Sequence, residues 1–153
     1  MKIYFASDHA GFELKQNLVE FVKTLGFDVV DVGPEFYDEN DDYPDCISKA
    51  AELVSQNLED RAIVIGGSGQ GEAMVCNIYP NVRATVYYGG SMEIINLSRA
   101  HNNANILSIG SRFVDKTQIG EVVRQWLLAP FSNDTRHIRR MKELEELKAK
   151  LKN

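Results

Sequence analysis

The sequence predicts an α/β fold: three layers, doubly wound, with a five-stranded parallel sheet and one extra helix at the C-terminal end. Two observations carry that expectation. Short apolar runs alternate with amphipathic stretches five times along the chain, and such alternation buries a parallel sheet under helices on both faces. The 153 residues contain no repeat, no low-complexity segment and no linker, so one domain over 1–153 is expected.

The elements follow in order. IYFA at 3–6 is the first strand; in the following FELKQNLVEFVKTLGF, Leu14, Leu18, Phe21 and Leu25 share a face and Gly26 supplies the stop. FDVVDV at 27–32 is the second strand, with a helical pattern from Ile47 to Leu58 after it. AIVI at 62–65 is the third, and the helix after it holds Cys76. RATVYY at 83–88 leads to a helix from Met92 to Ala100, and NILSI at 105–109 to one from Ile119 to Leu128. The common order for such a Rossmann-like sheet is 2-1-3-4-5, with ligands beyond the carboxyl ends of strands 1 and 3. Ser7 to Gly11 leave strand 1 and Gly66 to Glu72 leave strand 3, so two chemically loaded loops fall where a site is expected.

From Thr135 to Lys152 no strand follows. The helix expected there carries a narrow apolar line, Ile138, Met141, Leu144, Leu147 and Leu151, suited to packing on a neighbour such as a second subunit. Arg136 and Arg140 are four apart, so their guanidinium forks share a face and suit a phosphate dianion.

Bulk properties exclude several roles. Seventeen basic residues against 22 acidic ones leave a formal charge of −5, which gives a nucleic-acid partner no electrostatic support. No 18-residue apolar run exists and the N-terminus turns polar after six residues, so neither a membrane span nor a signal peptide is expected. Cys46 and Cys76 make neither a disulfide framework nor a zinc site. A soluble cytoplasmic protein is the plain reading.

The stretch GGSGQGEAM at 66–74 wraps backbone as an anion-binding loop does, yet it fits no nucleotide motif. No lysine follows the glycines, and Glu72 takes the place of a third dinucleotide-binding glycine. Position alone favours Glu72 as a helix cap, since acids meet the positive end of a helix. That dipole lowers a carboxyl pKa, so a base at this point needs burial to raise it. Asp8 or Ser7 could cap the first helix, and Arg136 and Arg140 could be a solvated basic patch. Cys76, inside a helix with no histidine beside it in sequence, reads as a small buried residue. Asp38 to Asp42 lack calcium-loop spacing and read as a solvated turn. The plain reading of His9, His101 and His137 is surface histidine; their places beside Asp8, Asn102 and Arg136 weigh against it.

Five blocks carry a resemblance: SDHAGFELK from Ser7, DYPD at 42–45, GGSGQGE at 66–72, SRAHNNANILSIGSR at 98–112 and RHIRR at 136–140. Together they resemble the type B ribose-5-phosphate isomerase family, which includes the subunits of galactose-6-phosphate isomerase. Many members carry a catalytic cysteine just before the glycine loop, where this chain has Gly66. This sequence is similar to a second branch, in which a glutamate closes the loop. The resemblance therefore implies Glu72 as the base that moves a proton between C2 and C1 through an enediolate. Gly67, Ser68, Gly69, Gln70 and Gly71 would line the substrate, with backbone N–H groups of Ser68 to Gly71 meeting the oxyanion.

The remaining roles are implied in the same way. His101 would help open the sugar ring, Asn102 would contact a hydroxyl, and Asp8 and His9 would form a substrate-binding pair. Arg112, Arg136 and Arg140 would hold the phosphate. The family builds its site between two subunits, so a homodimer is expected, with further pairing to a tetramer left open. No metal or organic cofactor is implied. Ile78 stands where most members have lysine, and Gln70, Ala73 and Met74 also depart from the commonest loop; placed near the sugar, they would leave the choice of sugar open. Ribose 5-phosphate is the expected substrate. A six-carbon sugar phosphate and a non-catalytic sugar-phosphate-binding paralogue are the alternatives, the latter opposed by Glu72, His101 and the arginines occurring together.

Overall fold

The computed structural model describes residues 1–151. Lys152, the last residue of the expected C-terminal helix, lies outside them. The strands are β1 (Lys2–Ser7), β2 (Asp28–Asp31), β3 (Arg61–Gly66), β4 (Ala84–Tyr87) and β5 (Ile106–Gly110). The helices are α1 (Phe12–Thr24), α2 (Tyr43–Gln56), α3 (Gln70–Asn77), α4 (Met92–Ala100), α5 (Ile119–Leu128) and α6 (Thr135–Leu151), with a 3₁₀ turn at His9–Gly11.

Successive side chains on each central strand point to opposite faces, and each face has its own core. Ile3, Phe5, Ile63, Ile65, Leu107 and Ile109 pack beneath α1, α4 and α5, where Trp126 is fully buried. Tyr4, Ala6, Ala62, Val64 and Ile106 meet α2 and α3, through Ile47, Ala50, Ala51, Val54 and Cys76. Continuous burial of β1 past Lys2, of β3 past Arg61 and of all β5 is what helices on both faces of a parallel sheet require. The fold is the expected Rossmann-like α/β architecture.

The strand order differs from expectation. It runs β2-β1-β3-β5-β4, so the last two strands exchange places. Burial gives the reason. All five residues of β5 are buried, as an inner strand demands, whereas β4 is half-exposed except at Tyr87 and takes the edge. The chain therefore steps over one position from β3 to β4 and returns through α4, which places α4 beside α5 on the face that also holds α1. The reversal between β1 and β3 is untouched, so the predicted crevice survives.

The C-terminal helix α6 is tied to its own chain. Glu145 accepts the Asn81 N–H at 3.0 Å and pairs with Arg83 at 3.3 Å, and Lys148 Nζ donates to the Tyr79 and Val82 carbonyls. Its apolar line stays largely open: Ile138, Leu147 and Leu151 are 50, 58 and 87% exposed.

Candidate active site

Two loops meet beyond the carboxyl ends of β1 and β3. At the first, Asp8 caps the 3₁₀ turn by accepting the Gly11 N–H at 3.1 Å, while its own N–H donates to the Ile65 carbonyl. Asp8, rather than Ser7, is the cap; the Ser7 hydroxyl is buried with no hydrogen-bond partner among the described residues. At the second, Gly69 takes φ +76° as the N-cap of α3, a conformation an L side chain rarely adopts. The turn swings Glu72, in the first turn of α3, back over Gly66. A Cβ on Gly66 would lie 1.9 Å from Glu72 Oε1, so a bare backbone at 66 makes the space that the carboxylate fills.

Glu72 is 4% exposed. Burial pushes its carboxyl above the ordinary glutamate range, and the negative charge of Asp8 adds to the push against opposing hydrogen bonds from the backbone of Glu72 and Gly69. Of the two opposed effects expected at this position, burial wins over the helix end. A carboxylate made more basic by desolvation suits general base catalysis.

The end of β5 holds the loop in place. Ser111 N–H donates to the Gly66 carbonyl at 2.8 Å, Arg112 N–H to Gly67 at 3.1 Å, and the Ser108 hydroxyl to Gly69 at 2.6 Å. The Arg112 guanidinium lies against Gly67. Asp8, His9, Ser68, Glu72, Arg112 and Tyr43 line a common cavity of about 340 Å³, with Gly67 and Gly71 in its wall. Larger hollows between α4 and α5 and between α1 and α5 contain no buried carboxylate.

Not every expected residue faces this cavity. Gly69 makes the turn, and Gln70 is exposed, its N–H donating to Ser68 Oγ at 3.2 Å. The family-variant positions Ala73, Met74 and Ile78 are outside the cavity wall too; Met74 on α3 and Ile78 just past its end are 67 and 70% exposed. None of the three reaches the cavity wall within one chain, because α3 turns away from it after Glu72. Cys76 is the small buried residue expected, its thiol pushed up to about 12 by burial and the nearby Glu72 charge. Both cysteines are free thiols.

His101, Asn102, Arg136 and Arg140 form a second group elsewhere. His101 ends α4 and packs against the buried His137, ring centroids 4.3 Å apart. Asn102 opens on a hollow beside Met141 and Leu144 of α6, and Arg136 and Arg140 are exposed on the same helix. This group precedes the amino end of β5, whereas the Glu72 cavity lies past its carboxyl end. The length of the strand, Ile106–Gly110, about 17 Å at 3.3 Å per residue, stands between them. One chain does not bring the two groups together.

Two residues with no role assigned from sequence also belong here. Tyr43, in the DYPD block, sets its ring over Gly71. The solvated-turn reading of Asp38 to Asp42 is corrected at Asp41, whose side chain is only 10% exposed and bonds to His9. A run of like charges in sequence carries no sign of which one turns inward. Among the described residues no cluster of three or more histidine, cysteine or acidic side chains could hold a metal ion. No helix among them is long and apolar enough to cross a membrane.

Comparisons with known proteins accord with this geometry. A family model described as Ribose/Galactose Isomerase matches residues 3–144. Ribose-5-phosphate isomerase B of Mycolicibacterium paratuberculosis is 38% identical over 147 residues, 95% of this chain and 91% of that protein. Among solved structures, ribose-5-phosphate isomerase B from Mycoplasma genitalium with bound ribulose-5-phosphate superposes with a TM-score of 0.91 at 38% identity, covering 97% of this chain and 96% of that one. The Clostridium thermocellum ribose-5-phosphate isomerase B gives 0.91 at 38% identity over 99% of both chains. The chain belongs to the ribose/galactose isomerase family.

Proposed function

On the premise of that membership, we propose that this chain is an aldose–ketose isomerase that interconverts ribose 5-phosphate and ribulose 5-phosphate, with Glu72 as the base. The observation that carries the assignment of the base is the Glu72 carboxylate itself: buried over Gly66, facing Asp8, in one cavity with His9 and Arg112. Cysteine-bearing members of the family place their base at the position of Gly66. A side chain there and the carboxylate of Glu72 would compete for the same space, so the two branches deliver a base to one point.

In the open-chain aldose, Glu72 takes the proton from C2. The electron pair forms the C1–C2 double bond and the aldehyde oxygen becomes the oxyanion of an enediolate. Ser68 and Gly71 both line the cavity, and their N–H groups supply donors for it. Gln70 and Gly69 do not, since the Gln70 N–H meets Ser68 Oγ and the Gly69 N–H meets the Glu72 carboxylate. Glu72 then returns the proton to C1 while the C2 hydroxyl passes its proton to the C1 oxyanion, so that C2 becomes the ketone and C1 carries the hydroxyl. Carbon 2 is oxidised and carbon 1 reduced within one molecule, so the step calls for no redox carrier.

The second group completes the site from a second copy of the chain. His101 opens the sugar ring, Asn102 contacts a hydroxyl, and Arg136 and Arg140 join Arg112 on the phosphate. A homodimer with shared sites follows, supported by the open apolar line of α6 and by exposed Met74 and Ile78 next to the catalytic loop. We place the isomerase unit at 1–153, acting in the cytoplasm on a free sugar phosphate.

The test is isomerisation of ribose 5-phosphate by wild type, Glu72→Gln and Cys76→Ser, with substrate binding measured for each. Glu72→Gln should lose activity by about 10³-fold or more while still binding substrate, and Cys76→Ser should stay active. An active Glu72→Gln enzyme removes Glu72 from the mechanism. A wild type that prefers a six-carbon sugar phosphate moves the substrate assignment, and one that binds without turnover makes the chain a binding protein.

A further inference from the structure

The loop between β2 and α2 sends one acid to the edge of the active-site cavity. His9 Nδ1–H donates to Asp41 Oδ1 at 2.6 Å, and the His9 backbone N–H donates to the same oxygen at 3.1 Å. The other oxygen, Oδ2, accepts the Cys46 thiol at 3.4 Å. Asp41 thus grips both the ring and the backbone of His9, and it is the less exposed partner, 10% against 30%. Asp41 does not line the cavity; His9 does.

The loop that carries Asp41 is itself anchored. The buried Lys15 donates to Asp31 and to the Pro34 carbonyl, both at 2.8 Å, and Asp38 accepts the Asn40 and Asp41 N–H groups. Lys15 ties the start of the loop to α1 and the Asp38 turn sets the backbone leading into Asp41, and together they fix where Asp41 stands, and so the ring.

We propose that Asp41 is a positioning residue for substrate binding: by taking Nδ1 of His9 it leaves Nε2–H as the nitrogen that meets the negative charge of a sugar phosphate. This rests on the isomerase reading for the identity of the anion, but not for the coupling between the two side chains. With Nδ1 committed to a carboxylate, Nε2 is a donor only while the ring is an imidazolium, so the pair makes substrate affinity depend on pH.

The groups that face His9 decide that dependence. The hydrogen bond to Asp41 is the largest influence and raises the ring above the ordinary histidine range; partial burial opposes it, Asp8 supports it and Arg112 opposes it. Glu72 shares the cavity, Tyr37 meets the ring edge-on with centroids 6.5 Å apart, and the Cys46 thiol, pushed up to about 12, stays neutral. In a two-copy site Arg136 and Arg140 of the second copy add positive charge. The sign is then fixed: His9 keeps its proton to a higher pH with Asp41 than without it, and affinity fades as pH rises through that value.

The experiment uses the full-length chain and Asp41→Asn, which keeps an oxygen for Nδ1–H and removes the charge. Proton NMR follows the three histidine rings through a pH titration without substrate; His9 should titrate at a lower pH in the variant. An unmoved His9 midpoint overturns the proposal, whatever the enzyme's activity. The KM for ribose 5-phosphate is then read against pH. It should match wild type at about pH 5.5 and rise about tenfold above wild type at about pH 8, with kcat nearly unchanged. A KM raised equally at every pH, or a loss confined to kcat, gives Asp41 a merely structural role and overturns it too. Should the chain not turn over ribose 5-phosphate, inorganic phosphate replaces it as the probe: weaker binding to the variant at about pH 8 alone supports the proposal, and equal binding rejects it. Should Asp41→Asn unfold, His9→Gln is measured instead, and a KM that still keeps the wild-type pH dependence rejects the proposal.

Discussion

The two ends of the sheet are built on opposite plans. Beyond the carboxyl ends of β1 and β3, the loops close on themselves: Glu72 and Asp8 are 4 and 7% exposed, and hydrogen bonds from the end of β5 fix the glycine turn. Near the amino end of β5, His101 and the exposed Arg136 and Arg140 stand beside an apolar helix face that the chain leaves open. The first end has its acid desolvated and its geometry set. The second presents exposed cations that do not share the Glu72 cavity of their own chain, and on the proposed function it serves the cavity of a second copy. The difference teaches that a buried carboxylate and its donors must be built within one chain, where each distance is fixed, whereas groups that hold a phosphate can arrive by docking.

The largest expected effect breaks the finished end. Gly66→Ala puts a methyl group where the Glu72 carboxylate lies, 1.9 Å from Oε1 in the undisturbed structure. If Glu72 is the base as proposed, displacing it by about 1 Å should lower kcat on the order of 10²-fold with little change in KM, as steady-state kinetics on ribose 5-phosphate will read. An unimpaired Gly66→Ala enzyme would show that the tight fit over Gly66 does not matter.

Next comes the open end. Arg140→Ala should raise KM about tenfold or more through the loss of a charge-assisted phosphate contact, about 1.5–3 kcal/mol, and leave Tm where it was because the side chain is exposed. A kcat defect at unchanged KM would place Arg140 elsewhere in the reaction.

A smaller effect sharpens the contrast through pH. As the proposed base Glu72 must be ionised to act, and its pKa is raised by burial first and then by Asp8. Activity should therefore fall, as pH drops, above the ordinary glutamate range, and Asp8→Asn should move that acid limb to lower pH. The same shift has a sign for stability. The folded chain holds this proton to a higher pH than the unfolded chain does, so the carboxylate opposes folding once pH exceeds the ordinary glutamate pKa. Glu72→Gln should then raise Tm at neutral pH, as thermal unfolding of the two proteins at matched pH will read. A helix cap would behave oppositely, its removal lowering Tm. Smallest of all is Cys76→Ser, expected to keep kcat within about twofold and to cost about 1 kcal/mol for a buried hydroxyl.

Much of this arrangement is legible in the order of residues. Alternating apolar runs locate all five strands to within two residues, and the switch-point rule brings Asp8 and Glu72 to one crevice before any side chain is placed. The exchange of β4 and β5 was not legible from strand sequence alone, because local pattern says how buried a strand is and not which neighbour it takes; NILSI is only modestly more apolar than RATVYY. Glu72 illustrates a second limit. Its place in the first turn of α3 is readable, but whether a dipole or burial dominates depends on Gly66 and Asp8 closing over it. Asp41 illustrates a third: four acids within DENDD look alike, and only the folded loop turns one of them onto His9. His101 and the arginines of α6 were legible as chemistry and not as geometry, since nothing in their order says that they lie at the end of β5 opposite the Glu72 cavity.

The shared site is tested most directly by mixing two inactive proteins. On the proposed roles Glu72→Gln lacks the base and His101→Gln the ring-opening group, so each homodimer would have two broken sites. Unfolded together, refolded and allowed to assemble at random, about half of the dimers are mixed and each carries one intact site of two, so activity should return to about a quarter of wild type. No recovery, with mixed dimers demonstrated in the sample, would contradict a site built from Glu72 of one copy and His101 of another.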